Sequence, residues 1–504
     1  MNSRLTAMLV FVPLLGVTGA GAGPEPPSVV RTPAGCPCAA LLDLTIRKVE
    51  ETYIGYRLEV GDAGRTAYEA RKEESRRAAR EPGVDCFLVI REWIDGFDDP
   101  HLFLLENPDF SAAQLDSLRR SAVHTAWTEE ALRAELERRA DALDPLEGFW
   151  YGKGGRYGIV RSTAGADDGT EADEATFAAI VLETADEGWA AGEEKARFRR
   201  RGDGYDVVYL TPDHSTRRYQ ARLHRGNFLH LPAGLGWAKT DPLPPGARAL
   251  DPVDPLAPTL DELPGGVVLV SVPSHDYGYR ARLDSLVTAS EARLLASRLL
   301  IVDVRGNGGG SSLTTQPLMP FIYRTPERDD VPGPEGDPVV LASADNLAYF
   351  SRWKRGADTP AWLLDLLARM GRSYGEVVPF RDPPDTTRGW LPAVVHPAPP
   401  AVAILQDGGS GSAAEAFVLF ARHSSRVTTF GEPTRGMIDY QNVGIVRVGC
   451  PEDGLLLGYP TIAASASLPE GGLNATGILP DVEMDVTGDV VGRVLRFYAA
   501  SDER

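Results

Sequence analysis

Residues 403–437, AILQDGGSGSAAEAFVLFARHSSRVTTFGEPTRGM, contain a turn in which a serine meets a requirement of nucleophilic catalysis. An apolar run ends at Gly408, Gly409 and Gly411, and helical spacing begins at Ala413, Ala416, Phe417 and Phe420. Ser412 therefore stands at a helix N-terminus. Unpaired backbone N–H groups and the positive end of the helix dipole can there stabilise an oxyanion beside the serine hydroxyl. Ser412 and Glu415 also have the spacing of a capping box, which would serve only to start the helix. The two roles compete, because a hydroxyl bonded to its own helix is hard to activate. Ser410 could cap or shape the same turn.

A second glycine-rich loop, Gly306-Asn307-Gly308-Gly309-Gly310, follows the apolar run of LLIVDVRGNGGGSS. It meets neither nucleotide-binding pattern: Ser311 stands where a dinucleotide loop needs glycine, and no Gly-Lys-Ser/Thr follows. What remains is either a tight strand-to-helix turn or a loop whose exposed N–H groups face a reacting carbonyl. His101 in FDDPHLF lies just past an expected helix end, behind Asp98 and Asp99, and His275 in PSHDYG is close to a core strand. An isolated histidine is commonly a surface or capping residue, but a neutral imidazole is also a usable base.

The elements that must position these groups are legible in outline. Helical patterns cover residues 39–56, 67–79, 85–94 and much of 107–144. From residue 148 to 237 the texture changes to short alternating runs bounded by turn residues: RYGIVRS, ATFAAIVLETA, YDVVYLT and RYQARLH. A Pro- and Asp-rich stretch follows, and then strands and helices alternate from GVVLVSV onward, as in an α/β layer with a largely parallel sheet. The expected organisation is residues 1–22 as a signal peptide, 36–145 as a helical subdomain, 146–240 as a β barrel or sandwich, 241–264 as a linker and 265–500 as an α/β core. Residues 324–400, proline-rich with a helical patch at 361–370, read as an elaborated loop or lid.

The chain of 504 residues carries a formal charge of −19, which makes nucleic acid and anionic lipid poor partners. Arg4, the apolar run of residues 5–17 and the small residues 20–22 read as a secretory leader, too short for a membrane span. Cys36, Cys38, Cys86 and Cys450 fit an oxidising, periplasmic or extracellular compartment and allow three pairings. Cys36 and Cys38 are too close to bridge each other easily, so one of them is expected to reach Cys86. A metal site on the Cys-x-Cys pair is the weaker alternative.

Four motifs in order, FDDPHLF, LLIVDVRGNGGGSS, GGSGSAAEAF with GEPTRG, and GILPDVE, resemble the tail-specific (carboxyl-terminal processing) proteases and the tricorn core protease, which share a ClpP/crotonase-like core. The resemblance covers residues 39–105 and 265–490. It implies Ser412 as nucleophile, with Gly310 and Ala413 supplying oxyanion-hole N–H groups and no metal or cofactor. Many bacterial members use a lysine just after Gly-Glu-Pro-Thr-x-Gly; here that position is Met437, so a Ser-Lys dyad is not available. The tricorn-like branch uses a histidine from the N-terminal part, matched by His101. A glutamate orients that histidine, and its position is held here by Asn474. A neutral amide can still fix an imidazole tautomer. The family's PDZ module is replaced by the β region; Gly234 begins GLGW, similar to a PDZ carboxylate-binding loop, but too few residues follow and it reads as a turn.

The resemblance thus implies an exported serine endopeptidase acting on peptide or unfolded protein. Two alternatives stand beside it: a non-catalytic ligand- or peptide-binding protein retaining the core, like the photoreceptor retinoid-binding repeats, and an esterase or amidase. The last lacks the Gly-x-Ser-x-Gly elbow.

Overall fold

The computed structural model describes residues 36–502 apart from 61, 153, 163–174, 203, 232–234, 324–336, 381–391, 393 and 451–453. The leader at 1–22 and Gly234 lie outside these residues. The architecture is mixed α/β, with two open sheets and a closed barrel.

The first sheet has six strands, in the order Thr259–Leu263, Val267–Ser271, Leu299–Asp303, Ala401–Gln406, Val427–Gly431 and Val482–Glu483. All pairs are parallel except the first. Its central strands are near-continuous Val, Ile and Leu because both faces are covered. Val268, Val270, Leu300, Val302, Val402 and Ile404 pack on one side with Leu283, Val287, Phe417 and Val418. Val267, Leu269, Ile301, Ala403 and Leu405 pack on the other with Val490 and Val494 of the Val490–Asp502 helix. The first of these strands corrects the expected linker: residues 259–263 are an edge strand, not a connection. Residues 280–296 form two helices, Arg280–Ala289 and Glu291–Ala296, separated at the buried Ser290.

The second sheet joins distant parts of the chain. Leu455–Ala463 pairs antiparallel with Phe103–Glu106, Val339–Leu341 and Tyr440–Val448, and Val377–Pro379 pairs with Val339–Leu341. The section expected as an extended loop therefore supplies two strands and the helices Ala344–Ser351 and Ala361–Arg372, whose apolar faces close around Phe350, Leu366 and Met370. The N-terminal helices pack on this sheet through Leu42, Val49, Ile90 and Trp93 against Leu457 and Tyr459. Disulfides join Cys38 to Cys86 and Cys36 to Cys450, with Cα separations of 5.4 and 5.8 Å. The first ties the Cys38–Thr52 helix to the Cys86–Asp95 helix; the second ties the N-terminal part to the far sheet.

Eight strands from Gly148–Gly152 to Leu235–Asp241 close into an antiparallel barrel. Trp150, Tyr157, Phe177, Phe198, Leu229 and Trp237 fill its interior. Tyr157 stacks on Trp237 at 4.3 Å. An eight-stranded barrel is just wide enough to be filled by side chains, and this one is packed. Among the described residues no helix is long and apolar enough to cross a membrane.

Candidate active site

Three loops leave the C-terminal ends of neighbouring parallel strands: residues 304–310, 407–412 and 432–437. In open α/β sheets this edge is where ligands bind, because it gathers loop ends and helix N-termini. Ser412 lies there, half-buried, immediately before the Ala413–Ala421 helix. Its backbone has φ 53° and ψ −114°. That is a sparsely populated conformation for a residue with a Cβ, held only where the surroundings enforce it.

Glu415 is one source of that enforcement. Its fully buried carboxylate accepts hydrogen bonds from Ser412 N at 2.7 Å and Met437 N at 2.8 Å on Oε2, and from Thr434 Oγ1 at 2.7 Å and Gly436 N at 2.9 Å on Oε1. Burial raises its pKa while these four donors lower it; the balance lies above the ordinary value. Ser412 and Glu415 face each other as in a capping box, and the backbone limb is tight. The hydroxyl limb is too loose to count as a hydrogen bond.

The hydroxyl is engaged elsewhere: Ser412 Oγ lies 3.1 Å from His101 Nε2, across 311 positions of sequence. The second sheet explains the meeting. Phe103–Glu106 is stitched to Leu455–Ala463, another of whose partners, Tyr440–Val448, begins three residues after Met437. Locally, Asp99 Oδ1 accepts from His101 N at 2.9 Å and Oδ2 accepts from Tyr53 Oη at 2.8 Å, which fixes the turn carrying the ring. Burial pushes Asp99 up to about 7. Burial, and then the charge of Arg435, bring His101 down to about 4, with the Tyr440 backbone pulling the other way. The ring is therefore neutral at pH 7, with a lone pair available on one nitrogen. Nδ1 is buried and, among the described residues, no group stands at hydrogen-bond distance and angle from it, the Tyr440 backbone acting from farther off.

Asn474 is not hydrogen-bonded to that nitrogen. Its Oδ1 accepts from Ile438 N and Asp439 N, both at 3.0 Å, and Nδ2 is buried without a partner among the described residues. Asp439 in turn accepts from Leu473 N and Asn474 N at 2.8 Å. The expected imidazole-orienting contact is corrected accordingly: the shorter amide is held by the 438–439 backbone.

The glycine loop closes over the serine. Gly309, with φ 101°, is the loop residue nearest Ser412: a Cβ there would stand 2.7 Å from Ser412 Cβ. Its N–H is taken by Asn307 Oδ1 at 3.0 Å. The N–H groups of Gly310, which is exposed, and of Ala413 have no hydrogen-bond partner among the described residues. His275, the alternative base, braces this loop instead. Its ring meets Asn307 Nδ2 at 2.7 Å and its backbone bonds Gly309 O and Ser311 N. Burial brings it to about 4 as well.

Sequence reasoning missed the barrel's share of the site. At the end of the Thr216–His224 strand, His224 Nδ1 lies 3.3 Å from Asp407 Oδ2. Asp407 Oδ1 also accepts from Gly306 N, Gly409 N and Ser410 Oγ. Burial alone would raise its pKa; the His224 ring, the Gly306 N–H and Arg305 outweigh it and hold the carboxyl well below the usual range. His230 is close enough that a Cβ on Gly308 would lie 2.7 Å from its Cε1. The alternating run RYQARLH was visible, but nothing local indicates where its end docks.

Residues 367–484 match the family model described as Peptidase family S41. That stretch is similar to the S41 peptidases. The matched stretch includes Ser412, Glu415, Met437 and Asn474, and His101 lies outside it. No curated protein sequence matches the chain. Among solved structures, the photosystem II D1 C-terminal processing protease is similar at 15% identity over 89% of this chain and 93% of that one, with a TM-score of 0.32. Mature CPAF complexed with lactacystin is similar at 12% over 92% and 97%, with a TM-score of 0.41. The tricorn protease is similar at 14% over 48% and 18%, with a TM-score of 0.25.

Proposed function

We propose that the chain is an exported serine endopeptidase with a ClpP/crotonase-like core, in which Ser412 is the nucleophile and His101 the general base. The observation that carries this reading is the 3.1 Å approach of His101 Nε2 to Ser412 Oγ at a strained helix N-terminus. As Ser412 Oγ forms its bond to the peptide carbonyl carbon, its proton passes to His101 Nε2. The carbonyl oxygen becomes an oxyanion, accepted by the N–H groups of Gly310 and Ala413. When the C–N bond breaks, His101 returns the proton to the leaving amine. Water, deprotonated by the same nitrogen, then releases the acyl group and restores Ser412.

Lysine chemistry is not open to this site, because Met437 fills that position and a Cβ on Gly411 would lie 2.9 Å from its Sδ. Asn474 acts on the site through the 438–439 backbone. The two disulfides and the leader-like N-terminus support export.

The test is fluorophosphonate labelling of the purified mature chain alongside hydrolysis of an unfolded protein. Labelling at Ser412 is expected, with hydrolysis lost in Ser412→Ala and His101→Ala. A parent chain that neither labels nor hydrolyses would instead identify a binding protein that retains the core. Labelling with ester but no peptide hydrolysis would identify an esterase.

A further inference from the structure

Beside the serine lies a cation that the chemistry above does not consume. The Arg435 backbone is fixed on both sides: its N–H donates to Ser410 O at 2.9 Å, and Thr434 and Gly436 are bonded to Glu415. Its side chain then runs along the residue preceding the nucleophile; a Cβ on Gly411 would lie 3.5 Å from Arg435 Cδ. The side chain is exposed, and its guanidinium makes no hydrogen bond or ion pair among the described residues. The charge is felt by His101, by His230 of the barrel and by Arg222, also of the barrel, which repels it. Arg222 reaches the same turn: a Cβ on Gly408 would lie 3.6 Å from its Nη1.

The nearby carboxylates are already occupied. Glu415 holds four donors, Asp407 is shared among Gly306, Gly409, Ser410 and His224, and Asp439 accepts from the 473–474 backbone. Arg435 thus brings to the nucleophile a guanidinium with no ion pair of its own among the described residues, drawn by the charge of Glu415 and repelled by that of Arg222, in a chain whose formal charge is −19. A guanidinium is matched most strongly by a carboxylate.

We propose that Arg435 is a specificity subsite that binds a carboxylate of the substrate next to the scissile bond, so that the peptidase selects peptides acidic at that point. This rests on the peptidase reading above. The carboxylate is that of an Asp or Glu side chain or of a peptide C-terminus, and both offer the same two oxygens.

Cleavage sites in an unfolded protein, mapped by mass spectrometry, give the sequence for matched peptides. One set, capped at both ends, carries Glu, Gln or Lys at each position flanking the bond; another carries Gln with a free C-terminal carboxylate there. In the parent, the kcat/KM of the Glu peptide or of the free acid should exceed that of the capped Gln peptide by about tenfold, the scale of one charge-assisted hydrogen bond. Whichever set shows the excess identifies the source. The ratio should fall toward one in Arg435→Gln, persist in part in Arg435→Lys and invert in favour of Lys in Arg435→Glu. Fluorophosphonate labelling of each variant reports an intact site. A parent that cleaves with no acidic preference overturns this inference alone, without any variant. A preference unchanged in a labelled Arg435→Gln does the same. A parent that neither labels nor cleaves overturns the peptidase reading and this inference together.

Discussion

Two of the imidazoles that reach the glycine-rich turns of the core from outside it arrive in opposite circumstances. His224 comes from the barrel and meets Asp407, a buried carboxylate with three further donors. His101 comes from the N-terminal part and meets the hydroxyl of Ser412, and its other ring nitrogen meets no carboxylate among the described residues. A histidine paired with a saturated carboxylate holds two bodies together. One facing a hydroxyl and lacking a carboxylate is a weak, neutral base. The distinction is carried by the second partner of each ring, which neither histidine's sequence neighbourhood reveals.

His101→Gln breaks that comparison most directly. With the proposed base removed, kcat/KM for peptide hydrolysis should fall by roughly 10³-fold or more, while the denaturant midpoint moves little. Retained hydrolysis would remove His101 from the mechanism. His224→Ala should show the reverse balance. It removes the imidazole from a buried carboxylate and should lower stability by about 2–4 kcal/mol in chemical denaturation, with a smaller loss of kcat/KM. A variant that is fully stable but inactive would place His224 in the chemistry and abolish the contrast.

The contrast also marks what was legible in the sequence. Ser412 could be found because the apolar run, the glycines and the helical spacing that build its turn lie within about twenty residues, where local propensity decides. The continuous apolar runs of the central strands were equally local. The Glu415 and Asn307 networks were less so, because each looks like a cap or a turn residue until loops from three strands are gathered around it. The His224–Asp407 contact spans 183 positions and depends on how the barrel docks, which no local pattern encodes. Residues 324–400 read as a loop because prolines and two short strands conceal a sheet completed only by Leu455–Ala463. Asn474 was misjudged for another reason: a family resemblance transfers a position, but a side chain one methylene shorter was bound by the backbone nearest to it.

The ring environments sharpen the comparison through pH. Burial and Arg435 disfavour the imidazolium of His101 and place it near 4, below the ordinary 6.5. The unfolded chain therefore binds this proton first as pH falls, so this group lowers stability progressively from about 6.5 down to about 4, by roughly 3 kcal/mol in all. Over the same interval the folded chain keeps His101 unprotonated. The acid limb of kcat/KM should accordingly lie near 4, and a limb at 6.5 would mean that His101 is solvated or is not the base. Arg435→Gln should move that limb upward, because it removes a cation that opposes protonation.

The smallest expected effect is that of Asn474→Ala, and it separates two ways of supporting a histidine. An amide that oriented His101 would, when deleted, release the ring, change its protonation and move the acid limb. In the structure the Asn474 oxygen instead receives the N–H groups of Ile438 and Asp439, directly after the loop that Glu415 holds through Met437. Its loss should loosen that loop, with a decrease in kcat/KM of less than about tenfold and a stability cost of about 1–2 kcal/mol, while the acid limb stays where it was. A shifted limb in this variant would show that the amide reaches the imidazole during turnover, and the two histidine environments would then differ less than their resting contacts indicate.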